Sequence, residues 1–534
     1  MQRGRAISDG EVDNWIMREK KIGIFINYAP EVKLTTEGLG RYLGTLMKGF
    51  QQAGGEVIIA CPQWLLPSLQ ELEQDLQIEA DKIGIITTDG IPPIWRIYRK
   101  LTKKKKRNPS NGRWRHISQE CILRMAERTS WDGLILDGIT LGVISAGMGI
   151  GILVKKIIQR IGRICTRTVQ RLVRRFDMEQ RTKISRALFQ RMLEHSEKTL
   201  VKRINTYKDP VDVWYVPALF WPEVNKITNG KVVINVPDLV TQEFPTGFVN
   251  LASKNQTEAC RRSIEEGTYF VSYCEYVGNE LINNQYGGRG KVCYSIQHAN
   301  HDLMPYIEIP ADVAEQMNLG GDKNLTTEFA KSVIAGIPVR SGVLTGRQLA
   351  NTRYLFYATQ FRPNKNLITL LEAYRQLIRY RFQHIRLVLT GDPDNFPEIM
   401  EYLNKHDMLD EVVFCVGVSS QELAALYHCA ELVVTTTLYE GGFPFTFGEG
   451  MSVGTPSIMS NIRQVREVLE PAGLEFAMFD ATDEDSIVEK IIWALNHRDE
   501  LYEKELPLYQ QLAKRTDKLV AEEYMGVFET ILSA

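Results

Sequence analysis

Short uncharged runs rich in β-branched residues alternate along the chain with longer segments whose apolar positions recur every three or four residues, which predicts strands and amphipathic helices in turn. KKIGIFINYAP (Lys20–Pro30) reads as a strand. Glu37–Pro62 follows with a glycine loop, an amphipathic helix, a Gly-Gly stop and a second strand. The same order returns later: Arg353–Ile378 is a strand, a polar loop and an amphipathic helix, Leu387–Asn395 a strand and loop, and Val412–Leu432 a strand, turn and helix. LVVTTT (Leu432–Thr437) has the composition of a parallel strand buried on both faces. Lys231–Pro245 adds a strand and loop, Tyr269–Gly287 a strand, serine turn and helix, and KVCYSIQHANHDLMP a last strand with its exit loop. Strands alternating with helices predict an α/β fold with parallel sheets, and 534 residues suffice for at least two domains.

The densest chemistry lies in YEGGFPFTFGEGMSVGTPSIMSN, Tyr439–Asn461. The strand before it stops at Glu440; Gly441 and Gly442 let backbone approach a ligand closely and leave amides free to meet an anion. Phe443, Pro444 and Phe445 stiffen the turn, and a helix starts near Phe447 with Glu449 in its first turns. A strand, a glycine loop and a helix N-terminus make a phosphate site at the carboxyl edge of an open sheet, and two carboxylates beside it can bind hydroxyls. Arg362 and Lys365 stand three apart just before the helix that Asn366 opens, where both can reach one diphosphate.

This stretch resembles the signature of family 4 retaining glycosyltransferases, an EGFG-type loop, a second glutamate and an A..G.P.I.S continuation. The likeness runs on through the REV helix start and AGL turn to Glu484. The resemblance implies that Glu440 contacts the donor sugar, that Glu449 holds the nucleotide ribose, and that Gly441, Gly442 and Phe443 line the donor. It further implies that Lys365 meets the pyrophosphate and that the turn at Gly417 lies by the base. Gly38 and Gly40, at the first strand–helix turn, resemble the donor-facing loop of the family's first domain. Three departures stand out: eight residues separate the glutamates where the family has seven, Gln360 stands where the family has an arginine, and Pro237 replaces a histidine before Asp238. Arg362 is thus either a shifted substitute or a surface residue. His298, His301 and Asp238 are candidates for acceptor contact, with an ordinary polar loop as the other reading of the histidines. The histidines lack metal-site spacing, and no metal or cofactor is expected.

Residues from about 93 to 208 exceed a simple strand–helix connection and carry the basic character of a chain whose net charge is only −1. Positions 96–115 and 155–175 hold lysines and arginines with no acidic residue among them. In the second run Ile157, Ile158, Ile161, Ile164 and Leu172 recur at helical spacing, giving an apolar face flanked by arginine. Such a helix suits an anionic membrane surface, and its apolar face favours lipid over nucleic acid. Gly138–Val154 is uncharged and glycine-rich, and reads as a buried or interfacial segment rather than a span. Eight cysteines without C-x-x-C pairs read as reduced core thiols. The first residues lack the apolar core of a secretory signal.

The expectation is a GT-B fold, two Rossmann-like domains facing across a cleft with a basic helical insertion in the first. Its parts are an extension (1–20), an acceptor domain (21–340), a nucleotide-sugar domain (341–515) and a helix (516–534) returning to the first domain. The implied activity is retaining, metal-independent hexosyl transfer from a UDP- or GDP-sugar co-substrate to a lipid-linked or polysaccharide-precursor acceptor. Its implied place is cytoplasmic, peripheral on the inner face of the cell membrane. Another GT-B enzyme, such as an epimerase or phosphorylase, and a non-catalytic membrane-associated scaffold are the alternatives.

Overall fold

Runs of apolar residues with no polar face require cover on both sides, and the chain builds two parallel sheets from them. The computed structural model describes residues 20–30, 32–35, 38–79, 82–93, 95, 178–244, 254–287, 290–309 and 325–534. The basic runs 96–115 and 155–175 and the uncharged segment 138–154 lie outside the described residues.

The first sheet contains β1 (Lys21–Phe25), β2 (Glu56–Cys61), β3 (Ile83–Thr87), β4 (Val213–Val216), β5 (Lys231–Val236), β6 (Tyr269–Ser272) and β7 (Val292–Ser295), in the order β3-β2-β1-β4-β5-β6-β7. The second contains β8 (Tyr354–Tyr357), β9 (Arg386–Leu389), β10 (Val412–Phe414), β11 (Leu432–Thr435), β12 (Ser457–Ser460) and β13 (Met478–Phe479), in the order β10-β9-β8-β11-β12-β13. Strands pair in parallel, with Ile22 opposite Val57 and Val433 opposite Ser457. By compactness the chain divides into one unit of Met1–Pro217, Trp221–Val233 and Ile531–Ala534 and another of Ala218–Phe220 and Ile234–Thr530.

In the first unit, helix α1 (Gly38–Gln52) follows β1, and α2 (Leu66–Leu76) follows β2. Helix α3 (Met178–Asn205), the end of the expected insertion, joins this unit's core. There Asn27 donates to Leu193 O at 2.9 Å and Ser196 Oγ donates to Asn27 Oδ1 at 2.8 Å.

In the second unit the period of two along each strand divides the core. Leu355 and Tyr357 of β8 face one apolar cluster, Tyr354 and Phe356 the other. From β8 the chain moves outward through β9 to β10, then returns to β11 on the opposite side of β8. The connections therefore diverge at the carboxyl ends of β8 and β11, the place where an open α/β sheet leaves a crevice for ligands. Helix α4 (Leu367–Arg379) follows β8, α5 (Ser420–His428) precedes β11, and α6 (Phe445–Ser452) follows it. After α7 (Arg463–Leu469) and α8 (Arg498–Leu512), the last helix α9 (Asp517–Ser533) reaches β5, where Tyr524 OH donates to Asn235 Oδ1 at 3.3 Å.

Candidate functional site

Two loops leave the crevice, and a short set of hydrogen bonds stitches them together. Leu438 N donates to Asn364 O at 2.8 Å, Asn364 Nδ2 to Tyr439 O at 2.9 Å, and Thr437 Oγ1 to Asn364 O at 3.1 Å. Thr436 Oγ1 donates to Lys365 O at 3.2 Å. Asn364 is buried, so these bonds are shielded from water and fix both loops. They bring Lys365 against Glu440, and Nζ and Oε1 form an ion pair whose side chains are 18% and 20% exposed. Asn366 takes a left-handed conformation (φ 56°) to turn the chain into α4, its Nδ2 donating to Ala481 O at 2.6 Å. Arg362 is exposed and donates to Gln360 Oε1 at 2.9 Å, so the residue expected as a substitute touches the position it would substitute for.

The glycine loop requires its glycines for close approach. A Cβ on Gly441 would overlap the Pro237 carbonyl, and one on Gly442 would fall 2.6 Å from Tyr273 Cβ. Leu239 N donates to the buried Tyr439 hydroxyl at 2.9 Å, securing the same contact from the other side. Asp238 is open to solvent yet crowded by protein, and this crowding raises its carboxyl above the ordinary range against the pull of Arg362 and Lys365. Phe443 turns its ring into an apolar cluster with Phe447 and Met451, leaving its backbone for the loop.

Glu449, on α6, is held at both oxygens: His301 Nδ1 lies 2.8 Å from Oε1, and Tyr427 OH donates to Oε2 at 2.7 Å. His301 belongs to a strap, residues 298–303, that packs against α6. His298 Nε2 lies 2.7 Å from Phe443 O, and Leu303 N donates to Ser452 Oγ at 3.0 Å. Burial lowers the His298 pKa and favours the neutral ring, whose single N–H then goes to Phe443 O rather than to Ala299 O, 3.2 Å from Nδ1. Phe445 stacks on this ring at 3.7 Å. Beside the strap lies an open hollow lined by Gln297, His298, Asn300, Phe445, Gly448 and Arg515. The two histidines expected as acceptor contacts are thus placed against the helix that carries Glu449 and the loop that carries Phe443.

Gly417 is exposed in a turn of positive φ (71°) after β10. Gly38 and Gly40 belong to the first unit, at the start of α1, where Gly40 is buried against the Leu34 backbone. Among the described residues no group of three His, Cys, Asp or Glu could hold a metal. Tyr427, Asn364 and Glu467 were not singled out by the sequence. Glu467 accepts from Glu275 N at 3.0 Å and Tyr276 N at 2.7 Å, capping the helical segment Tyr276–Gln285. Only the order of strand, polar loop and helix hints at such partners.

Residues 347–516 match the family model described as glycosyl transferases group 1. The chain is 30% identical over 190 residues to the O-antigen chain mannosyltransferase B of Escherichia coli, covering 35% of this chain and 49% of that protein. It is 26% identical over 177 residues to a lipopolysaccharide 1,2-N-acetylglucosaminetransferase of Salmonella typhimurium, covering 32% and 44%. The chain thus spans about half the length of the relatives it matches. Among solved structures it resembles HepE of Anabaena in complex with UDP and glucose, with a TM-score of 0.52 at 13% identity over 96% of this chain and 100% of that one. That likeness, with the two parallel sheets, shows the GT-B fold of two Rossmann-like domains.

Proposed function

We propose that the protein is a retaining, metal-independent glycosyltransferase that moves a hexose from a UDP- or GDP-sugar to a lipid-linked or polysaccharide-precursor acceptor at the cytoplasmic face of a membrane. One observation carries the reading: Lys365, Glu440 and Glu449 are gathered on the loops and helix at the carboxyl ends of β8 and β11, within the segment that matches the family model. In this reading the donor diphosphate displaces Glu440 from Lys365, because two phosphate charges outcompete one carboxylate for the ammonium group. The freed carboxylate and the amides of Gly441 and Gly442 then meet the sugar, while Glu449 accepts from the ribose hydroxyls. Phe443 lines the donor through its backbone, and Gly417 lies by the base. Arg362 adds charge from the rim.

Pro237 offers no side-chain base, so transfer rests on stabilising the departing diphosphate and on holding the acceptor hydroxyl against the same sugar face. The names of the two relatives, which concern O-antigen and lipopolysaccharide, support a surface-glycan acceptor. Asp238, exposed beside Lys365 and Glu440, is the side chain best placed to meet it. Membrane attachment is assigned to the basic runs 96–115 and 155–175. No helix among the described residues is long and apolar enough to cross a membrane.

The test is a thermal-shift and sugar-release screen against UDP-, GDP-, ADP- and TDP-sugars, without metal and with anionic vesicles present. One donor that stabilises the protein and is slowly hydrolysed supports transfer; stabilisation with no release in the presence of any acceptor glycan points to a scaffold. That second reading has an observation behind it, since Pro237 already sits against the glycine loop where a sugar would lie.

A further inference from the structure

A carboxylate that recognises a diol must be aimed as well as present, and two features of Glu449 show how it is aimed. Its oxygens are acceptors only, so the His301 nitrogen 2.8 Å from Oε1 carries a proton, and the Tyr427 hydroxyl 2.7 Å from Oε2 donates. One donor on each oxygen fixes rotation about the carboxylate axis and leaves a second lone pair on each for an incoming hydroxyl. The partners differ in burial: Tyr427 is fully buried on α5, whereas His301 is 39% exposed on the strap. The strap is held independently of His301, through Leu303 N to Ser452 Oγ at 3.0 Å and Asn300 N to Arg515 O at 3.0 Å. Replacing the exposed ring therefore leaves the strap in place and removes one of the two anchors.

We infer that His301, together with Tyr427, is a positioning residue that aims Glu449 at the two ribose hydroxyls, making the 298–303 strap a determinant of ribose over deoxyribose. The inference rests on the nucleotide-sugar reading above. It moves His301 from the acceptor to the donor, and it assigns the histidine no part in bond making.

The experiment is calorimetric titration of the full chain with UDP, GDP and their 2′-deoxy counterparts, and separately with inorganic pyrophosphate. Wild type is compared with His301→Ala, His301→Asn and Tyr427→Phe. Wild type is expected to prefer the ribonucleotide about tenfold, the share of one good hydrogen bond to a charged acceptor. His301→Ala is expected to bring that preference to threefold or less while pyrophosphate binding stays within twofold. His301→Asn, whose amide nitrogen can stand where Nδ1 stands, is expected to recover most of it. In the transfer assay His301→Ala raises the donor KM and leaves kcat within twofold. An unchanged ribose preference in His301→Ala overturns the inference, as does a loss of pyrophosphate binding equal to the loss of nucleotide, which is the mark of a purely structural role. A folded wild type that binds neither nucleotide overturns the donor reading itself, a separate failure visible before any variant is made.

Discussion

At the carboxyl edge of the second sheet, Glu440 pairs with Lys365 and Glu449 is held between His301 and Tyr427, whereas beneath β12 Glu505 of α8 is fully buried and accepts Ser457 N at 3.0 Å through one oxygen. Among the described residues its other oxygen has no hydrogen-bond partner. Burial pushes the Glu505 carboxyl well above its ordinary 4.5. The edge carboxylates have donors that a ligand can share or displace; the interior one has no cation beside it among the described residues, and burial favours its protonated form. Partners, more than depth, separate a group arranged for exchange from one that only fills space.

The largest effect expected from breaking this contrast is at Lys365. Lys365→Ala removes the cation beside Glu440 and should lower kcat/KM for transfer by about 10²–10³-fold, the scale of losing one preorganised charge partner for a leaving group. Steady-state sugar transfer measures it, and a loss below tenfold would move the diphosphate elsewhere. Lys365→Arg should not recover the rate fully, because a planar fork cannot take the place of a compact ammonium in so close a contact.

Glu505 gives the interior counterpart. Once pH exceeds about 4.5 the unfolded chain has shed a proton that the folded protein retains, so stability falls as pH rises toward the folded pKa, by up to about 1.4 kcal/mol per unit. Glu505→Gln abolishes this slope. Denaturant midpoints at pH 5 and pH 8 should show the variant gaining on wild type at the higher pH. The same difference at both values would mean that the carboxylate is ionised against a cation.

Much of this arrangement is legible in the sequence. Apolar runs located the strands, because a parallel strand shows no polar face. Glu440, Glu449 and Lys365 stood out because carboxylates and a cation beside glycine loops have few structural uses. The partners were not legible: Tyr427 lies 22 positions from Glu449, and His301 lies 148 away. Neither sits at a distinctive spacing, since their roles arise from packing of α5 and the strap against α6. Phe443 shows the same limit, because the pattern that placed it in the glycine loop does not say that its ring turns into the core.

A smaller effect tests whether the glycine loop depends on close approach. Gly441→Ala forces a methyl onto the Pro237 carbonyl and should cost about 1–3 kcal/mol of stability, as overpacking does. Gly442→Ala meets Tyr273 Cβ at 2.6 Å and should cost less, since that overlap is shallower than the one at the Pro237 carbonyl. Thermal unfolding of both variants ranks them, and the reverse order would mean that Pro237 gives way easily, as a loop that opens for a sugar must.

The smallest effect, at Arg362, decides how sharply the edge is divided between fixed and exchangeable charges. Lys365 is stitched in place through its own carbonyl and its neighbours, while Arg362 is exposed and touches Gln360, a neutral acceptor. An exposed side chain that must be ordered on binding gives back part of its Coulomb gain in entropy and is screened by salt. Arg362→Ala should therefore weaken pyrophosphate binding only about threefold, with the difference fading between 50 mM and 500 mM salt, whereas the Lys365→Ala loss persists. Gln360→Arg in the Arg362→Ala background asks whether position 360 is the better seat. Recovery beyond wild type would show that the guanidinium works from the end of β8, and that Arg362 is a shifted substitute reaching the same phosphate over a longer lever. No recovery, with a salt-sensitive threefold loss, would leave the diphosphate to Lys365 and the amides, and Arg362 to the solvent-facing rim.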